Sequence, residues 1–278
     1  MRNNVNKALL YTGMYAMLAV VVILSLAPLL WVIISSFKTN SAILSSPFAL
    51  PTSLDFSPYE KVLTGNNFLM YAVNSVIVSS VATALSLVIF SMGGYVLAKY
   101  RFPGRELLFA LFAITLLVPG HTKTQPIFMI VKSLGLYDRK EGLILVYLTG
   151  GLAMSMFVLR SNFNSIPKDI SEAAFIEGAG FVRNFFKINL PLAKGGLATC
   201  GILMFLGHWN EYYFAALLTS SPKNRTLPYA LAFFNETFAY DYTRMFAALT
   251  IIILPGILVY AISQEQIQMG LISGSVKG

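Results

Sequence analysis

Residues 8–37 carry no acidic or basic side chain, and apolar residues fill the stretch from Leu9 to Phe37. A helix that crosses a bilayer needs about 20 such residues. Runs of this kind recur along the chain, enough to cross a bilayer about six times. Of 278 residues, 56% are hydrophobic and only 12% charged, where a soluble domain has about 25%. With a mean hydropathy of +0.68, the chain is excluded from the soluble enzymes. The expected fold class is an all-α integral membrane protein with six transmembrane helices, forming a single domain over residues 1–278.

The first span is placed at 12–35, with a kink expected at Pro28; it is too long for the apolar core of a cleaved signal peptide, about 7–15 residues. A polar stretch marked by Pro47, Pro51 and Pro58 follows and reads as an extramembrane loop with one short helix. The second span, 71–98, contains Asn74-Ser75 near its start and Gly93-Gly94 near its end, small residues that suit close helix packing. A basic turn from Lys99 to Arg105 leads to the third span, 107–131, which Pro119-Gly120 interrupts. The fourth, fifth and sixth spans are placed at 142–159, 195–218 and 245–263. With both termini inside, eleven lysines and arginines fall on the cytoplasmic side and eight outside, with Lys123 in the broken third span. That asymmetry favours cytoplasmic termini.

The net charge of +8 is thereby accounted for without nucleic acid, for which no motif is present. A lone cysteine, Cys200, excludes an internal disulfide framework. His121 and His208 are too far apart to make a recognisable zinc motif, so no metal is expected.

Residues 161–194 are too charged to span and too patterned to be disordered. Pro167 followed by Asp169 or Ser171 predicts a helix start, with a side-chain oxygen capping the first turn. The helix is predicted over about 169–177, broken at Gly178 to Gly180, with a second short helix from Val182 to Ile188 ending before Pro191. The spacing Glu172-Ala173-Ala174, three residues, Gly178, nine residues, Ile188, one residue, Leu190-Pro191 resembles the "EAA" loop of permeases from binding-protein-dependent ABC importers. Glu177 stands where that family often has aspartate. Nearly the whole chain is similar to the shorter permease of maltose-type sugar importers: Asn74-Ser75, Val118-Pro119-Gly120 and Trp209-Asn210-Glu211 fit, as does a glycine-rich tail with Gly270, Gly274 and Lys277.

The resemblance implies an ABC importer type I permease fold in a bacterial or archaeal plasma membrane. It implies that Glu172, Ala173, Ala174, Glu177, Gly178, Ala179, Ile188, Leu190 and Pro191 form a coupling loop that docks on a separate ATPase, and that Gly270, Gly274 and Lys277 reach the ATPase interface. The implied partners are a second homologous permease, a dimer of ATPase subunits, an extracytoplasmic solute-binding protein, membrane lipid and a sugar or oligosaccharide. No GxxxxGK[ST] phosphate loop occurs in the chain, so it is not expected to be an enzyme; ATP and Mg belong to the partner ATPase and no cofactor to this chain.

His121, Gln125, Asn210, Glu211 and Tyr212 read in two ways. They line a polar translocation path, or they sit near helix ends with their polar tips reaching the interface. Two alternatives to sugar import also stay open at this point. One is an importer of a glycerol-phosphate-like polyol. The other is an ion-coupled secondary transporter, which would need paired intramembrane carboxylates, whereas only Glu211 lies inside a span.

Overall fold

The computed structural model describes residues 2–65, 67–232 and 241–275. All regular structure among them is helical. The chain divides into two compact units.

The first unit comprises Met1–Phe68 and Ala230–Ile253. Helix α1 (Arg2–Ser35) stays a single helix through Pro28. Residues 10–28 are exposed on every side of it, as suits a helix that is apolar all round and meets lipid or another apolar surface. Its last turn is held by polar contacts. Trp31 Nε1 donates to the Pro47 carbonyl at 2.9 Å, and the Ser36 and Tyr59 hydroxyls meet at 2.6 Å. The polar stretch that follows contains two short helices where one was expected, α2 (Asn40–Ser45) and α3 (Ser57–Thr64). Capping side chains explain both: Thr39 accepts from the Ala42 N–H, and Asp55 accepts from the Ser57 N–H and hydroxyl. Those donors hold the Asp55 carboxyl below its usual range. Lys38 is buried and places its ammonium on the Pro47 carbonyl at 2.8 Å and the Ser46 carbonyl at 3.3 Å, just beyond α2.

The second unit comprises Leu69–Tyr229 and Leu254–Gly278. Its spine is α4 (Phe68–Lys99), against which two apolar clusters form. Towards the start of α4, Val78 and Ala82 pack with Val131 of α6 (Thr124–Ser133), Leu143 and Tyr147 of α7 (Lys140–Leu148), and Ala215 and Leu218 of α12 (Tyr213–Leu218). Towards its end, Phe90, Tyr95 and Leu97 pack with Met156, Leu159 and Phe163 of α8 (Leu152–Ser165), Phe185 of α10 (Phe181–Leu192), and Cys200 and Met204 of α11 (Lys194–Trp209). Lipid is as apolar as leucine, so tight packing rather than water exclusion must hold such helices together. Gly93 and Gly94 show how: a Cβ on Gly94 would lie 2.8 Å from Leu159 Cβ, and one on Gly93 2.7 Å from Met156 Cε.

Among the described residues three helices are long and apolar enough to cross a membrane, Leu10–Ser35, Phe68–Lys99 and Tyr242–Gln268, and two bent pairs are so if each counts as one span. In the first pair α7 and α8 meet at 51° across Gly150-Gly151, where Gly151 has φ +74°, a backbone that favours glycine. In the second, α10 and α11 meet at 79°. The predicted interruption at Pro119-Gly120 is present, as a 3₁₀ turn (Gly120–Lys123) between α5 (Arg105–Ile114) and α6. A further break, not anticipated, separates α11 from α12 at Asn210-Glu211-Tyr212. The last helix, α13 (Tyr242–Ser275), contains Pro255 and contributes residues to both units.

Candidate functional site

The loop after α8 folds into α9 (Lys168–Ile176) and α10. α9 ends where glycine was expected to end it. Gly178 takes φ +83°, while the Ala179 N–H bonds the Ala174 carbonyl at 2.9 Å and the Gly178 N–H the Phe175 carbonyl at 3.0 Å. This is a Schellman closure with glycine in the left-handed position. The expected cap at the other end is absent: Pro167 is the capping residue and no side chain accepts there. Ser171 turns inward instead. Its hydroxyl lies 3.1 Å from Asn189 Nδ2, which also donates to the Asn184 side-chain oxygen at 2.9 Å and the Asn184 carbonyl at 3.1 Å.

Asn184 and Asn189 are fully buried, and this amide network locks α9 onto α10. The second helix does not stop before Pro191, as expected, but runs to Leu192. Its middle, Asn184–Asn189, is a π turn closed by the Leu190 N–H on the Phe185 carbonyl. Proline brings no N–H, and Pro191 sits in the short α turn just past this wider one.

Among the loop residues singled out from the sequence, Glu172, Ala173, Glu177, Gly178 and Pro191 are exposed, Ala174 and Ala179 buried, and Ile188 and Leu190 half-buried. Exposed apolar side chains surround them: Ile170, Phe175, Ile176, Phe181, Val182 and Phe186. Clustered open apolar surface of this kind marks contact sites for protein or membrane. Of the tail residues, Gly270 and Gly274 lie in α13 and Lys277 lies outside the described residues. Upstream of them the Thr199 hydroxyl donates to the Gln266 carbonyl at 2.7 Å, fixing α11 to α13.

The polar residues of the second unit fall into several local arrangements. Glu211 fills the break between α11 and α12. Its carboxylate accepts from the Phe214 N–H at 2.8 Å, the Ala215 N–H at 3.1 Å and the Tyr147 hydroxyl at 2.6 Å. It therefore caps α12, where the helix dipole favours a negative charge. Tyr147 also stacks on His208, ring centroids 5.4 Å apart, and His208 Nδ1 lies 3.0 Å from the Thr83 hydroxyl. Gln125, Asn210 and Tyr212 are exposed. The Thr124 and Tyr213 hydroxyls meet at 2.8 Å, which sets the start of α6 beside the start of α12. His121 lies in the 3₁₀ turn between α5 and α6.

Asp138 and Asn74 form a clasp that the sequence did not advertise. Asp138 accepts from the Ser220 and Ser221 N–H groups, both at 2.9 Å, and from the Ser221 hydroxyl, while Asn224 Nδ2 donates to its carbonyl. Burial raises the Asp138 carboxyl, but these donors outweigh it and hold the group well below the usual carboxylate range. Asn74 Nδ2 donates to the Lys223 and Arg225 carbonyls, each at 2.9 Å, and its oxygen accepts from Lys140 Nζ at 3.0 Å.

Among the described residues the chain is helical, with helices long and apolar enough to cross a membrane and a helix pair, α9 and α10, whose apolar side chains stand exposed. Residues 91–272 match the family described as binding-protein-dependent transport system inner membrane component, and the chain belongs to that family. Family members are permeases of ABC transporters and are not themselves catalytic. The chain is 37% identical over 265 residues to the diacetylchitobiose uptake system permease protein NgcG of Streptomyces coelicolor, covering 95% of this chain and 88% of that protein. It is 33% identical over 256 residues to the trehalose transport system permease protein SugB of Mycobacterium tuberculosis, covering 91% and 93%. A crystal structure of a bacterial ABC transporter that imports the acidic polysaccharide alginate contains a chain with the same fold, at a TM-score of 0.81 and 25% identity over 94% of this chain and 97% of that one.

Proposed function

We propose that the chain is one of two permease subunits in an ATP-driven importer of a sugar or oligosaccharide, that a solute-binding protein delivers the solute, and that α9 couples it to a separate ATPase. The observation that carries this reading is the family match, which includes the loop with the Glu172-Ala-Ala174 and Gly178 spacing. The exposed apolar rim of α9 and α10 supports a docking role, and the amide network beneath it supports transmission of rigid-body motion. ATP and Mg stay on the ATPase, and this chain binds neither.

The six spans in this reading are α1, α4, α5 with α6, α7 with α8, α11 with α12, and α13, with both termini cytoplasmic. The glycine-rich tail approaches the ATPase. Gln125, Asn210 and Tyr212 border the path, with His121 nearby and Glu211 shaping it as a cap.

Cross-linking tests the coupling role. Cys200 is the only cysteine and is buried, so Cys200→Ala followed by Ala173→Cys gives a single exposed thiol. In the assembled transporter it is expected to cross-link to the ATPase and to no other subunit. Reconstituted alone, the chain should move no sugar; gradient-driven uptake without ATPase would refute the proposal.

A further inference from the structure

Between α12 and Tyr229 the chain has one short turn, Pro222–Asn224, and otherwise irregular backbone. It is nonetheless held firmly. Asn74 takes the carbonyls of Lys223 and Arg225, Asp138 takes the N–H groups of Ser220 and Ser221, and the Ser75 hydroxyl accepts from the Leu227 N–H at 2.7 Å. Backbone pinned this way presents its side chains preorganised.

What it presents is an arginine that packs on a tyrosine ring and, among the described residues, has no acidic partner. Arg225 lies with Cζ 3.7 Å from the centre of the Tyr229 ring. Its Nε is buried and unbonded. Among the described residues its guanidinium makes no ion pair and no hydrogen bond. Asp138 is engaged in the clasp and Glu211 in the cap of α12. Beside this cation, Tyr212 stands 44% exposed and nearly parallel to Tyr229, at 21° with centroids 6.4 Å apart.

A buried donor without an acceptor is unfavourable and rare. A guanidinium fork is shaped for two oxygens of one carboxylate, and an exposed tyrosine face suits the apolar face of a sugar ring. We propose that Arg225, Tyr229 and Tyr212 form a subsite for an acidic sugar residue, the carboxylate on the guanidinium and the ring against Tyr212. This rests on the permease reading above and narrows it to solutes that carry a uronate-type group.

The test uses the complete transporter, both permeases with their ATPases, in lipid nanodiscs. The probes are a glucuronate-terminated disaccharide and the neutral disaccharide cellobiose. The acidic sugar is expected to bind about tenfold or more tighter, as a charge-assisted pair adds, with the margin shrinking as salt is added. Arg225→Gln should erase that preference, Arg225→Lys should keep part of it, and Tyr212→Ala should weaken both sugars. Thermal unfolding of each variant separates lost binding from lost folding.

Equal binding of the two probes, binding of neither, or a preference that survives Arg225→Gln overturns the proposal. So does a variant that keeps its sugar preference but loses stimulation of ATP hydrolysis by the solute-binding protein, since the arginine would then meet an acidic protein side chain. ATP-dependent uptake of the neutral sugar, with the glucuronate-terminated one neither bound nor taken up, would remove the subsite and leave the permease reading standing.

Discussion

Gly178 offers a sharp test of how the proposed coupling loop is built. Its φ of +83° is one that side chains with a Cβ adopt at a cost of about 1–2 kcal/mol. A Cβ there would meet nothing within 4 Å in the chain itself, so backbone conformation is the whole of the penalty before any partner docks. One or two kcal/mol changes an equilibrium by a factor of about 5–30, enough to unravel the end of α9 in most molecules if that closure is only marginally stable.

The predicted order of coupling efficiency is Gly, then Asn, then Ala, then Val, because asparagine tolerates the left-handed region and β-branched residues do so least. Sugar-stimulated ATP hydrolysis by the assembled transporter reads this order, with membrane insertion of each variant as the control. Full coupling in the Ala and Val variants would refute the argument from φ. An Asn variant as impaired as Val would show instead that close approach by the partner, not backbone geometry, requires glycine.

Three further outcomes follow from the packing and hydrogen bonds. Gly94→Ala forces a Cβ to 2.8 Å from Leu159 Cβ and should destabilise the α4–α8 contact by about 1–3 kcal/mol, seen as a lower unfolding temperature in detergent. Gly93→Ala, which meets only the flexible end of Met156, should be milder. Tyr147→Phe removes the 2.6 Å bond to Glu211 and should cost about 1.5–3 kcal/mol, with Tyr147→Phe/Glu211→Gln losing less than the sum of the single variants if the two act as a pair. Asp138→Asn should loosen the 219–227 segment, detectable as faster amide exchange at Ser220 and Ser221. Because folding depresses the Asp138 pKa, its contribution is present above the ordinary carboxylate value of about 3.9 and fades only as pH falls towards the lower, folded-state value.

The parts of the molecule that the sequence revealed are those written in local patterns. Gly178 ends α9 because one residue's φ requires it, and Pro119-Gly120 separates α5 from α6 for an equally local reason. What stayed hidden depends on partners distant in the chain. Glu211 as a cap needs Tyr147, 64 residues away, and Asp138 is explained by Ser221, 83 residues on. Ser171 shows how a local rule can mislead. It fits a helix start by type, yet bonds Asn189, 18 residues later, leaving the start of α9 to Pro167. The break at Asn210-Glu211-Tyr212 has neither proline nor glycine to announce it; the clue was a carboxylate inside an apolar run, with nothing in the sequence to name its donors.

The π turn at Asn184–Asn189 makes the length of this loop as consequential as its chemistry. An ordinary helical turn advances by about 100° per residue, and the wider π turn takes up one residue more than that winding allows, so rewinding the same residues as an ordinary α-helix would swing everything before the turn through about that angle relative to α11. Asn189 would lose its alignment with Ser171, and α9 would face a different direction with every one of its own residues intact. The proposed docking helix is therefore aimed by a count of residues in its neighbour, like a key whose bit is set by the length of its shank.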